Sequence, residues 1–289
     1  MQPSRIMQFV FNMRGCKSPI QMTGNNTFLF CSKTYIYYNM LYTPKNSKEG
    51  LKMKINSKTL ATFLSKVTIN GSMSDALLQF GPDGLSVSVK DISNTGFSSG
   101  LLKTNAGFID YKQMKAPVKN IPRLLGFLKN ITGNVDISID GNNLVLKSDS
   151  NDGRFKLSEE QYLECNLPTF PTLAEHDSGF EVDAKVLADA KKNASTLGFK
   201  FVFAECKDKV FYLTAGEDEF DQLTAHVAVD YKNVPRTMYA SVLLEFISSI
   251  DGKAVISFSE NYPMLITVTT QDSIFRWLVA PMTKPEDQE

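Results

Sequence analysis

Leu124-Leu125-Gly126-Phe127, followed by Ile131, Gly133, Ile137 and Ser138, returns 119 residues later as Leu243-Leu244-Glu245-Phe246, followed by Ile250, Gly252, Ile256 and Ser257. No gap is needed across the stretch. A second echo lies upstream of each copy. Ile55-Asn56-Ser57-Lys58-Thr59-Leu60-Ala61 resembles Val182-Asp183-Ala184-Lys185-Val186-Leu187-Ala188 at an offset of 127. Each half therefore reads helix, strands, helix, strands, and the order is duplicated. An internal repeat of this kind signals a fold assembled from copies of one supersecondary unit.

The 289 residues allow one large domain or two of ordinary size. Hydrophobic residues at 43% and aromatics at 11% are globular values. No apolar run approaches the roughly 20 residues of a membrane span. Net charge is +0, but it is unevenly placed. Residues 1–52 hold seven bases (Arg5, Arg14, Lys17, Lys33, Lys45, Lys48, Lys52) and one acid, Glu49. Of the chain's 31 bases and 31 acids, 24 and 30 remain for the rest, which is acidic. An acidic body repels bulk nucleic acid unless its bases gather on one surface. The four cysteines, Cys16, Cys31, Cys165 and Cys206, have no metal-type spacing and read as the reduced cysteines of an intracellular protein.

Residues 1–52 lack helical or strand periodicity, and they lack the ordered regions of a signal peptide. Lys48-Glu49-Gly50 is what a purine-rich ribosome-binding site encodes in this frame, two codons before Met53. The expectation is a poorly ordered extension over 1–52, with Met53 as the true start. The rival is a basic N-terminal arm.

From Met53 the pattern is orderly. Residues 54–67 read as a helix, with Leu60, Phe63, Leu64 and Val67 at spacings of three and four and Asn56 or Ser57 as cap. Strands follow at 76–80 and 85–89 around the turn Gly81-Pro82-Asp83-Gly84, then at 100–102 and 108–110. A second helix starts near Pro122 and ends at Gly133. Strands at 135–139 and 144–146 flank an Asp140-Gly141 hairpin, and Asp152-Gly153 is expected to turn the chain into 154–157. Residues 163–177 carry two prolines and no period, hence an extended connector, though Leu167, Phe170 and Leu173 make it apolar. The second half is expected to place helices at 184–194 and 238–250 and strands at 200–204, 210–214, 222–229, 254–258, 265–269 and 274–279. A charged tail ends the chain. The domain scheme is 1–52 extension, 53–162 first domain, 163–177 connector, 178–282 second domain and 283–289 tail.

Catalytic signatures are sparse. His176 and His226 do not sit in a set with metal-ligand spacing. There is no Gly-rich phosphate loop and no nucleophile elbow. Glu217-Asp218-Glu219 reads as a solvated acidic loop, and Trp277 as core or rim. The expectation is a non-enzyme with no cofactor and no metal.

Two C-terminal segments carry a resemblance. Asn261-Tyr262-Pro263-Met264-Leu265-Ile266-Thr267-Val268 resembles the strand of DNA sliding clamps in which apolar residues follow a proline. Phe275-Arg276-Trp277-Leu278-Val279-Ala280-Pro281 resembles the closing strand of the proliferating-cell-nuclear-antigen family, with Val279 where that family has Leu. In the first half, Asp83-Gly84-Leu85-Ser86-Val87 with Lys90-Asp91-Ile92-Ser93 resembles that family's corresponding strand and loop, with Lys90 in place of Met. The likeness covers 53–289, and a phage or archaeal type fits best.

This resemblance implies an α+β DNA-clamp fold: two repeated helix/strand domains, helices lining a ring, antiparallel sheets outside. It implies a processivity factor that encircles double-stranded DNA without sequence preference and tethers a DNA polymerase, with a clamp loader as a further partner and no membrane. Family rings hold six such domains, so two per chain imply a homotrimer, working in the cytoplasm of a prokaryotic, archaeal or phage-infected cell. The DNA-facing bases would be Lys58, Lys66, Lys119, Arg123, Lys129, Lys185, Lys191 and Lys192. The fourth helix departs from that pattern with Ser241, Glu245, Ser248 and Ser249. A pocket for partner peptides would use Leu167, Phe170, Pro263, Leu278, Val279, Ala280 and Pro281. Two rivals remain: a non-replicative or heteromeric clamp subunit, and a monomeric two-domain α+β ligand-binding or enzyme module with a deep cleft.

Overall fold

The computed structural model describes residues 53–90, 96–108, 113–159, 179–216, 221–240, 252–260 and 262–282. The extension over 1–52, the connector, the acidic loop 217–219, most of the expected fourth helix and the tail lie outside the described residues.

The first half opens with strand β1 (Met53–Asn56) and helix α1 (Ser57–Val67). Strands β2 (Ala76–Gly81), β3 (Gly84–Lys90), β4 (Gly96–Lys103) and β5 (Met114–Val118) follow. Helix α2 (Ile121–Lys129) leads to β6 (Asn134–Asp140), β7 (Asn143–Lys147) and β8 (Asp152–Lys156). The second half runs β9 (Phe180–Asp183), α3 (Ala184–Leu197), β10 (Phe201–Lys207), β11 (Val210–Ala215), β12 (Leu223–Ala228) and β13 (Val234–Ala240). It closes with β14 (Lys253–Ser257), β15 (Met264–Thr269) and β16 (Ser273–Val279).

The duplication extends to backbone register. β1 pairs antiparallel with β6, Ile55 opposite Val135; β9 pairs with β14, Val182 opposite Ala254. Those are the positions that offsets of 127 and 119 predict. The helix entries match too. Ser57 N–H donates to Gly133 O at 2.9 Å, and Ala184 N–H to Gly252 O at 3.0 Å. Asn56 Oδ1 accepts from the N–H groups of Lys58 and Thr59, and Asp183 Oδ1 from that of Lys185, so both helices carry a side-chain N-cap.

Three antiparallel sheets result. Two have four strands, in the orders β1-β6-β7-β8 and β12-β11-β10-β13. The third has eight, in the order β5-β2-β3-β4-β16-β15-β14-β9. It fuses a sheet of the first half to a sheet of the second along β4 and β16, which pair over seven positions from Ser273–Leu102 to Val279–Gly96.

Helix α1 buries Leu60, Phe63, Leu64 and Val67 against β1, β3, β4 and α2. The approach over β4 is close: a Cβ on Gly100 would lie 2.4 Å from Val67 Cγ2 and 2.9 Å from the Phe63 ring. Helix α3 packs on β9 to β12 with Ala184, Leu187, Ala190 and Ala194. Trp277 is buried, stacked on Phe275 with ring centroids 5.6 Å apart. No helix among the described residues is long and apolar enough to cross a membrane.

Several expectations are corrected. The first helix starts at Ser57, because residues 53–56 pair with β6. Residues 238–240 belong to β13, not to a helix, because they pair with β10. The turn before 154–157 is at 148–151, where Asn151 N–H donates to Ser148 Oγ at 3.0 Å; Asp152 and Gly153 are already in β8. Gly153 answers a close contact instead: a Cβ there would meet the Phe127 ring at 2.7 Å. Of the strand expected at 108–110, Phe108 lies outside any strand and 109–110 fall outside the described residues; the next described strand is β5.

Candidate nucleic-acid interface and partner surface

The three described α-helices share a charge pattern. None has an acid in its first turn. Each instead has a base there: Lys58 in α1, Arg123 in α2 and Lys185 in α3. A helix N-terminus carries partial positive charge, so a base at that end opposes the macrodipole by about 0.3–1 kcal/mol. That preference is set aside at the corresponding starts of α1 and α3 and again in α2, although at α3 the carboxylate of the N-cap Asp183 sits at the same end as Lys185.

Lys58, Lys119, Arg123, Lys129, Lys185 and Lys192 are exposed; Lys66 and Lys191 are half-buried. The Lys66 ammonium lies 5.8 Å from the centre of the Phe275 ring, which holds it near the helix C-terminus. On α3, Lys185 and Lys192 share a face, with the exposed acid Asp189 between them. Reading the lysines alone missed Asp189, whose spacing of four from Lys185 and three to Lys192 was legible.

The opposite face of the eight-stranded sheet presents the other candidate surface. Across the seam, Phe97 faces Leu278, and Leu278 faces Leu265. Leu278, Leu265, Pro263, Ala280 and Pro281 are half-buried. Val279 is corrected: it is 1% exposed, because strand alternation turns it inward beside Met264 while Leu278 and Ala280 turn outward. Leu167 and Phe170 lie outside the described residues. Phe97 stands in the same row but is itself buried, at 6% exposed, and Lys90, its pairing partner on β3, extends the row.

Two tyrosines brace the approach to Pro263. Tyr239 O–H donates to Tyr262 O at 2.7 Å, and Tyr231 O–H to Phe258 O at 3.1 Å. Burial pushes the Tyr239 hydroxyl well above the usual tyrosine pKa. Cys206, on the inward face of β10, is a free thiol whose pKa is raised by burial first and by Glu205 second. A shallow cavity of about 190 Å³ at the β2–β3 turn is lined by Gln79, Asp83, Ser86, Leu101 and Lys115 among others. Among the described residues no three His, Cys, Asp or Glu side chains are placed to hold a metal ion.

No protein-family model and no curated protein matches the chain. Solved structures do. The A. fulgidus PCNA structure with the C-terminal region of FEN-1 bound is similar at a TM-score of 0.65 and 18% identity, over 81% of this chain and 98% of that one. Proliferating Cellular Nuclear Antigen from Entamoeba histolytica gives 0.63 and 16%, over 80% and 98%. The PCNA2–PCNA3 complex from Sulfolobus tokodaii gives 0.61 and 17%, over 81% and 100%. The repeated register, the fused eight-stranded sheet and these likenesses agree: the chain has the α+β fold of the DNA sliding clamps.

Proposed function

We propose that this chain is the subunit of a closed ring that encircles duplex DNA and tethers a polymerase and other DNA-processing proteins, without catalysis. The observation that carries the reading is the β4–β16 seam. It joins the two halves by strand pairing, and among the described residues the corresponding strands, β8 of the first half and β12 of the second, are sheet edges. Open edges invite pairing with another chain. A seam that joins half to half inside a chain can join chain to chain by the same pairing, head to tail, and such contacts close a ring when the rotation permits. Six halves, as in the resemblance, make that ring a homotrimer, with 53–162 and 178–282 as its domains and 163–177 crossing between them.

The basic first turns then line the hole, where Lys58, Lys119, Arg123, Lys129, Lys185, Lys191 and Lys192 meet phosphates, with Lys66 at the far end of α1. Such contacts are blind to sequence, as a sliding ring needs. The outer pair Leu265 and Leu278, with Pro263, Ala280, Pro281, Leu167 and Phe170, takes the apolar anchors of a partner peptide.

Retention on DNA tests the reading. The full chain, assembled on nicked circular plasmid, is expected to stay bound through a high-salt wash and to come off when the plasmid is linearised. Equal release from both forms would refute topological linkage.

A further inference from the structure

Which side chains close the ring follows from carrying the internal seam onto the open edges; this step rests on the ring reading. Gly100 opposite Val87 corresponds to Ala225 opposite Leu213, which takes β4 onto β12. Trp277 opposite Ile266 corresponds to Gly153 opposite Leu146, which takes β16 onto β8. The seam pairs Trp277–Ser98 and Arg276–Ser99 then become Gly153–Leu223 and Asp152–Thr224.

The sizes at this position are reversed between the two seams. Inside the chain, the large residue is Trp277 on β16 and the small one Ser98 on β4, both buried. At the open edges the small residue is Gly153 on β8 and the large one Leu223 on β12. Each seam thus has one large and one small residue on its inner face. The ring of Phe127, edge-on to Phe155 with centroids 5.5 Å apart, already covers Gly153 so closely that no Cβ fits. Phe127 and Phe155 are half-buried and pack on the core. Leu223 is 36% exposed, on the face of β12 that Ala225 and Val227 turn to the core. A large apolar side chain this exposed, at an open edge, is suited to a partner's apolar surface.

We propose that Leu223 of one copy seats over Gly153 of the next, against Phe127 and Phe155, and that this contact selects a second copy of this chain as the neighbour. The seat is shaped for a branched aliphatic side chain. A tryptophan at position 223, the counterpart in bulk of Trp277, would collide with Phe127.

Cross-linking tests the register. The full chain, with Cys16, Cys31, Cys165 and Cys206 replaced by alanine, carries Asp152→Cys with Thr224→Cys. A second version carries the shifted pair Asp152→Cys with His226→Cys. Ser99→Cys with Arg276→Cys, the same pairing inside the chain, is the positive control, since facing strand residues lie within disulfide reach. The first pair is expected to oxidise into covalent trimers and the shifted pair to stay largely uncross-linked. Leu223→Arg is expected to raise the concentration of half-dissociation by about 30-fold or more while the circular dichroism of the monomer is unchanged. A trimeric mass with cross-linking at the shifted pair, or with Leu223→Arg still assembled, would overturn this contact and leave the ring standing. A monomeric mass at every concentration, with no cross-link from either pair, would overturn the ring reading and this inference together.

Discussion

The two halves share a backbone register but fill it with different side chains. Beneath α1, the first half sets Phe63 and Val67 over Gly100. At the corresponding places the second half sets Ala190 and Ala194 on α3 with Ala225 on β12. The larger helix residues go with the glycine and the smaller ones with the alanine. The two halves fill the space between helix and sheet differently, the first with an aromatic ring and a branched side chain that the second lacks. A repeated fold therefore does not need repeated residues.

The largest expected effect comes from the larger of these side chains. Phe63→Ala should cost about 3–5 kcal/mol, because it removes a buried ring and the site cannot refill from a glycine opposite. Ala190→Gly should cost about 1 kcal/mol, a helix-propensity loss with little cavity. Urea unfolding of the two variants measures the contrast, and equal losses would refute the account. Gly100→Ala sharpens it: its cost should shrink in a Phe63→Ala, Val67→Ala background, a coupling that a thermodynamic cycle reads directly.

The same comparison explains what could be read from the chain in advance. The offsets of 127 and 119 were legible because helix entries and the strands after them keep their caps and apolar alternation. Strands β1 and β9 were hidden: four residues long, they abut a helix, and only pairing with β6 and β14 makes them strands. Met238 looked helical because Val234–Ala240 mixes polar and apolar residues without clean alternation, and pairing with β10 decides it. On the candidate sites, the individual bases were visible, but the inward turn of Val279 and the place of Phe97 depend on strand phase. A one-residue shift of phase exchanges the two faces.

Ala280 and Val279 sharpen the contrast between outward and inward positions on one strand. Ala280→Trp should weaken binding of a peptide with aromatic and aliphatic anchors by about 100-fold, because the bulk fills the proposed pocket. Val279→Ala should leave peptide affinity within a few-fold and instead cost about 1–3 kcal/mol of stability as a buried truncation. Isothermal titration and thermal unfolding of both variants separate the roles. Unchanged affinity in Ala280→Trp would move the pocket elsewhere.

Helix α3 against α1 gives a smaller effect. Changing Lys185, Lys191 and Lys192 together to alanine should weaken DNA association about tenfold at low salt and flatten its salt dependence by up to about three in log–log slope. Asp189→Asn should act in the opposite direction, since it lies between two of those bases. Loading onto nicked plasmid across a salt series measures both, and an unchanged slope in the triple variant would remove α3 from the interface.

The smallest effect tests a brace that only the second half has. Tyr239 occupies the place of Val118: each forms the isolated bridge that ties its half's two sheets, Val118 to Leu157 and Tyr239 to Pro281. Only the tyrosine adds a hydroxyl bond, to Tyr262 O, one residue before Pro263. Tyr239→Phe should cost about 1 kcal/mol, the net worth of one neutral hydrogen bond. The pH dependence carries the sign. Burial raises the folded-state pKa of Tyr239 above its unfolded value, so its contribution is complete below about pH 10. As pH climbs beyond that, the unfolded chain releases the proton and the folded chain keeps it, so stability falls. Tyr239→Phe should therefore be less stable than the parent at neutral pH and lose less on going to pH 11. Parallel alkaline losses in the two proteins would show that the hydroxyl is not the group holding the turn before Pro263.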